Sequence, residues 1–258
     1  MMEMALAMWV VSFALLGLCI GSFLNVVAYR VPRGESVVAP PSRCTHCGEQ
    51  VRPYDLIPLI SYVILRGRCR SCGMPIAARY PLVELLTSAA FAAVAWNMPW
   101  NGEAIVGALL SSVLIAVAVI DIDWRIIPNR IVAWGMGLGL FMRCFIHPLP
   151  WWNYALAAVV CSGLLLLLAI ASNGGMGGGD IKLYLFIGMV LGLASALLSL
   201  FTASVLGLVY GCVLLCFKPA FGKDRSLPFA PFIAAGAWWA YLYGEGVLHA
   251  MLQYIVAA

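Results

Sequence analysis

Eight apolar stretches, each near the length a helix needs to cross a lipid bilayer, account for most of this 258-residue chain. They fall at roughly 4–29, 82–100, 103–122, 130–149, 153–172, 181–194, 196–217 and 229–254. A helix rises about 1.5 Å per residue, so roughly 20 apolar residues cover a hydrocarbon core of about 30 Å. The composition agrees: 10% of the residues are charged, against about 25% in soluble domains. The sixth and seventh stretches run together without a polar break, and a helical hairpin around Leu193 to Ser195 divides them. The first stretch carries Glu3, lacks a basic n-region and has no small-residue cleavage site. This predicts a retained first helix and not a cleaved signal peptide.

The expected fold is therefore an all-α polytopic membrane protein of about eight transmembrane helices. Its parts are a first span (1–29), a small polar domain between the first two helices (30–81) and a helical membrane domain (82–258). Fourteen of the fifteen Lys and Arg residues fall in the connections on one side, and Arg143 is the exception at the end of the fourth span. The positive-inside rule makes that side cytoplasmic and puts both termini across the membrane from it. The net charge of +4 then follows from topology and calls for no nucleic-acid partner.

Inside the polar segment lie "CTHC" (Cys44, Cys47) and "CRSC" (Cys69, Cys72), with 21 residues between the pairs. Four thiolates so spaced can surround one tetrahedral Zn²⁺, and four protein ligands leave no open position, so the expected zinc is structural. A reducing cytosol disfavours disulfides. Each pair runs into a glycine (Gly48, Gly73), the residue that most easily takes φ > 0 in a knuckle turn. His46 is a spare potential ligand. Cysteines 19, 144, 161, 212 and 216 sit in apolar spans as small hydrophobes. Between the pairs, "LIPLISYVILRG" is too short to span and should pack on the zinc site or the membrane surface.

Charged groups within spans are costly and point to function. Of the eleven acids, Glu84, Asp121, Asp123 and Asp180 lie at embedded or boundary positions. Asp121 and Asp123 end the third span and Asp180 begins the sixth, so they share one face and one depth. Two carboxylates that meet across helices hold a single proton between them. The ionised member can draw a proton from water while the protonated one polarises a substrate carbonyl. Residues two apart on a helix point about 200° away from each other, so only one of Asp121 and Asp123 can join Asp180. Which one is left open by the spacing. The run "SNGGMGGGD" before Asp180 would let an extended substrate backbone approach closely, or would serve as a turn with Asp180 as N-cap. Lys182, two residues on, is expected to contact lipid phosphates.

These features, taken in order, resemble the bacterial type IV prepilin peptidases. "GSFLNVVAYRVP" (Gly21 to Pro32), the two CxxC pairs around "LRGRC", and "ARYPLVELLTSAAF" (Ala78 to Phe91) are similar to that family's motifs. So are "DIDWRIIPN", matching D-x5-[IL]-P, and "GGGDIKL", matching GxGD. The resemblance implies an eight-span inner-membrane aspartyl protease with Asp121 and Asp180 catalytic. It implies removal of the basic leader from prepilins and pseudopilins of type IV pili and type II secretion, after a glycine at the cytoplasmic face. Methylation of the new N-terminus by S-adenosylmethionine would follow. No Rossmann-like glycine pattern offers a cofactor site; Glu84 and Asn25 are candidates, or else bond neighbouring helices. The competing classes are a metal or small-solute transporter with a zinc-sensing loop, and a membrane scaffold.

Overall fold

The structure, a computed structural model, describes residues 1–172, 177–217 and 228–257. Gly174 and Gly175 of the glycine run, and Lys218, Lys223, Asp224 and Arg225, lie outside the described residues. Among the described residues the regular elements are all helices, with isolated bridges in place of strands. The helices are α1 (Met2–Arg30), α2 (Ile60–Ile64), α3 (Arg79–Asn97), α4 (Glu103–Trp124), α5 (Asn129–Arg143), α6 (Trp151–Ala171), α7 (Gly178–Leu191), α8 (Leu193–Phe217) and α9 (Ala230–Ala257). Apart from the five-residue α2, each sits on one of the eight apolar stretches. Among the described residues four helices are long and apolar enough to cross a membrane, namely α1, α4, α6 and α8. At 15 and 14 residues, α5 and α7 rise only about 22 and 21 Å.

Two compact units divide the chain at Ala116 and Val117, within α4. In unit 1, Gly17 and Gly21 form a GxxxG stripe that lets α1 approach α3 backbone to backbone. A Cβ on Gly17 would stand 2.7 Å from Ser88 Cα, and one on Gly21 the same distance from Glu84 Cα. Ser88 Oγ donates across the pair to the Ala14 carbonyl (2.9 Å), and Trp9 meets Trp100 with ring centroids 4.9 Å apart.

Unit 2 uses the same device twice. A Cβ on Gly188 would fall 2.6 Å from the Ala158 nitrogen, so α7 lies directly on the backbone of α6. One on Gly236 would fall 2.8 Å from the Ser199 carbonyl oxygen, which brings α9 onto α8. The break between α7 and α8 comes at Gly192 (φ +78°), one residue before the expected hairpin. Asn153 of α6 holds the break by accepting the Leu193 N–H (2.9 Å). Arg143, buried at the end of α5, donates Nε to the Val190 carbonyl (3.1 Å) and Nη1 to Ile146 (3.0 Å). Its guanidinium also lies over the Tyr154 ring, 4.7 Å from the centroid. The charge thereby caps the last turn of α7, where carbonyls lack helical partners.

Candidate active site

Within unit 2, α4 delivers Asp121 in its last turn and α7 delivers Asp180 in its first. Both carboxylates are buried, at 7% and 9% exposure, whereas Asp123 is exposed. The half-turn between Asp121 and Asp123 thus sends one side chain inward and the other out. Asp121 and Asp180 lie within electrostatic reach of each other. Asp121 Oδ2 accepts the Ala230 N–H (3.0 Å), the first amide of α9. That helix begins "FAPF", with Pro231 in its opening turn but no Ser, Thr, Asp or Asn as a local cap. Its cap is instead supplied from 109 residues earlier in the chain. Sequence reasoning missed this partner; the proline, a common helix-start residue, was the one signal of it.

The glycines before Asp180 have a packing role. A Cβ on Gly179 would fall 2.8 Å from Ile127 Cβ, so its absence lets the start of α7 close onto the loop that leaves α4. Gly177 accepts the Asp180 N–H at its carbonyl (3.1 Å), and a Cβ there would lie 3.5 Å from Asp180 Oδ2. Gly178 faces open space. Lys182, exposed on the far side of α7, donates to Asn129 Oδ1 (2.9 Å) at the start of α5.

In unit 1, the four Sγ atoms of Cys44, Cys47, Cys69 and Cys72 lie within 4.8 Å of one another, and those of Cys44 and Cys72 are 3.9 Å apart. A tetrahedron with Zn–S near 2.3 Å has edges of about 3.8 Å, so the donor set fits zinc. The two knuckles repeat each other. Cys44 donates to the Glu49 carbonyl (2.9 Å) and Cys69 to that of Met74 (2.8 Å), while Gly48 and Gly73 return bonds to the two cysteine carbonyls (3.0 and 2.9 Å). Both glycines adopt positive φ, +73° and +70°. Bonds from the Cys47 and His46 amides lower the Cys44 thiol to about 6 and so favour the thiolate that a cation binds. Arg70 clamps Asp55 through two bonds (2.8 and 2.6 Å), which holds that carboxyl below its ordinary range and ties the segment between the knuckles to the second one.

The two cofactor candidates are engaged by the protein itself. Glu84 Oε2 accepts the Leu59 N–H (2.8 Å), and Ser22 bonds to the same carboxylate. Leu59 stands at φ 58°, ψ −49°, and the Ile60 amide bonds back to the Pro58 carbonyl (2.6 Å). This is a γ-turn of the strained kind. The buried acid therefore anchors "LIPLISYVILRG" through its turn, a link no local pattern announces. Asn25 Nδ2 donates to the Gly21 and Tyr80 carbonyls (3.2 and 3.1 Å). Its Oδ1 is buried without a partner.

Residues 15–98 match the bacterial peptidase A24 N-terminal domain, and residues 108–212 match the type IV leader peptidase family. The chain is 39% identical to the prepilin leader peptidase/N-methyltransferase of Bacillus subtilis (strain 168), over 90% of this chain and 93% of that protein. It is 34% identical to the protein of the same name from Neisseria gonorrhoeae, over 92% of each. The one from Stutzerimonas stutzeri is 32% identical, over 93% and 92%. No solved structure matches the chain. With both domain patterns in order and relatives aligned over nearly their whole length, the chain belongs to the type IV leader peptidase family.

Proposed function

We propose that this chain is a membrane aspartyl peptidase that cuts the basic leader from prepilins and pseudopilins after a glycine, with Asp121 and Asp180 as its catalytic pair. The observation that carries the proposal is that two buried carboxylates, from the ends of α4 and α7, lie within electrostatic reach of each other. Such a pair shares one proton and titrates as a unit. The ionised member takes a proton from water as the oxygen attacks the glycine carbonyl carbon, and the protonated member hydrogen-bonds the developing oxyanion. Collapse of the tetrahedral intermediate breaks the C–N bond. The water oxygen stays on the leader's new carboxyl group, and a proton from the pair goes to the departing amine. The Ala230 bond orients the Asp121 carboxylate through its Oδ2.

The relatives' name supports N-methylation of the new terminus as a second activity, with S-adenosylmethionine supplying the methyl group. Glu84 and Asn25 remain its candidate contacts. Glu84 already holds Leu59, and Asn25 retains only one uncommitted acceptor, so no step is assigned to either. The four cysteines would hold Zn²⁺ as a structural ion. Eight spans in the bacterial inner membrane, periplasmic termini and a cytoplasmic cysteine domain complete the proposal, on the asymmetry of the basic residues. The carrier alternative is not favoured, because the relatives are named as peptidases.

The test is mass spectrometry of a prepilin peptide whose leader ends in glycine, incubated with purified protein and S-adenosylmethionine. The wild type is expected to remove the leader and add one methyl group. Asp121→Asn and Asp180→Asn should each lower cleavage at least about 10³-fold, and Asp123→Asn less than about threefold, as expected when a group acting at the reacting atoms is lost. Substantial cleavage by either of the first two variants would end the assignment of the pair.

A further inference from the structure

A groove of about 640 Å³ opens between α5, α6 and α7, on the side of α7 turned away from Asp180. Ile181, Lys182 and Leu185 line it; at 100° per residue they centre roughly 150° around the helix from the carboxylate. Its walls are apolar except at one end, where Lys182 and Asn129 meet. Along α5 it runs from Asn129 to Met136, about 10 Å at 1.5 Å per residue, against roughly 15 Å for half of the hydrocarbon core. The one polar residue that α6 adds to the lining, Ser162, turns its hydroxyl to the Ala158 carbonyl (2.6 Å). Gly163 beside it leaves open space where a side chain would stand.

We propose that this groove binds one acyl chain of an anionic glycerophospholipid, with the lipid phosphate on Lys182. The positive charge sits where a headgroup lies, and the apolar slot continues from it through about two-thirds of the depth of a single leaflet. A lysine flexible enough to keep its ammonium at the interface can exchange the neutral Asn129 oxygen for a phosphate. A volume of 640 Å³ lies within the ~300–1,000 Å³ of small-ligand sites. The proposal requires that the chain span a membrane and does not depend on the aspartate pair.

Native mass spectrometry of the whole protein in detergent, titrated with phosphatidylglycerol and then phosphatidylcholine of matched chains, tests it. The wild type should retain one phosphatidylglycerol with clear preference over phosphatidylcholine. Lys182→Gln should cut that preference about fivefold, the effect of one basic residue at an anionic surface, and Lys182→Arg should keep it. Gly163→Phe, which fills the slot, should lose retention of both lipids. A photoactivatable phosphatidylglycerol should label α5 and α6 within residues 129–136 and 159–166. Equal lipid retention by wild type, Lys182→Gln and Gly163→Phe would overturn the proposal. So would a photo-crosslinker at position 163 that captures the prepilin peptide in place of lipid. Size-exclusion profiles matching the wild type confirm that each variant is folded. Should Gly163→Phe misfold, Val159→Trp at the opposite end of the slot reads the same effect.

Discussion

The Ala230 amide ties the start of α9 to Asp121, beside a backbone bond from Phe229 to the same carboxylate. Proline is tolerated at the first position of a helix, where the N–H has no helical partner. Ala230→Pro therefore deletes this donor and little else. The expected result is a fall in leader cleavage of about tenfold or more, typical for loss of a hydrogen bond to a charged group, with helical circular dichroism unchanged. Wild-type cleavage by this variant would show the bond to be a cap for α9 alone. At the same scale, the choice between Asp121 and Asp123 was left open by their spacing, because two residues on one turn differ in direction and not in chemistry. Family resemblance pointed to Asp121. In the structure it is the buried one of the two, for a reason of packing: α4 turns that face inward.

At the scale of helices, contact is governed by glycines that no periodicity ranks. Gly188 lies on the α6 backbone, whereas Gly137 meets nothing. Gly188→Leu forces the α6–α7 pair apart at a cost of about 1–3 kcal/mol. It should lower the thermal midpoint in detergent by several degrees, with Gly137→Ala neutral or stabilising by up to about 1 kcal/mol. Equal midpoints for the two variants would contradict the α6–α7 contact. The eight helical stretches themselves were legible, since apolar length alone predicts them. Their ends were less so: α5 came out shorter than its apolar run, α7 begins and ends about three residues before its own, and Gly192 broke the α7–α8 run through its positive φ. The glycines before Asp180 were expected either to admit a substrate backbone or to form a turn with Asp180 as N-cap. Gly177 takes the N-cap position, and Gly179 packs on Ile127.

Across the whole molecule, the cysteine cluster belongs to unit 1 and the aspartate pair to unit 2. Metal analysis should find one zinc per chain, with a four-sulfur shell near 2.3 Å by X-ray absorption. Chelation should lower the thermal stability of the protein, because a structural metal contributes to folding. With no ligand shared between cluster and pair, the chelated protein should keep at least about a tenth of its leader cleavage, a loss within the reach of second-order effects on a site. Complete loss of cleavage at intact unit 2 helicity would mean that the cysteine domain contributes directly to the reaction.

The sequence by itself determined the membrane class, the helical character of the apolar stretches and the cysteine tetrad. Each is local: run length is measured against bilayer thickness, and a CxxC spacing confines two sulfurs to one knuckle whatever surrounds it. Only the tertiary structure decided that Ala230 caps onto Asp121, that Glu84 holds the strained turn at Leu59, and that Lys182 stands over a groove facing away from Asp180. These links join residues 109, 25 and 53 positions apart. They depend on which helix faces meet, and in a chain this apolar the faces carry little pattern, so backbone proximity at small residues decides them.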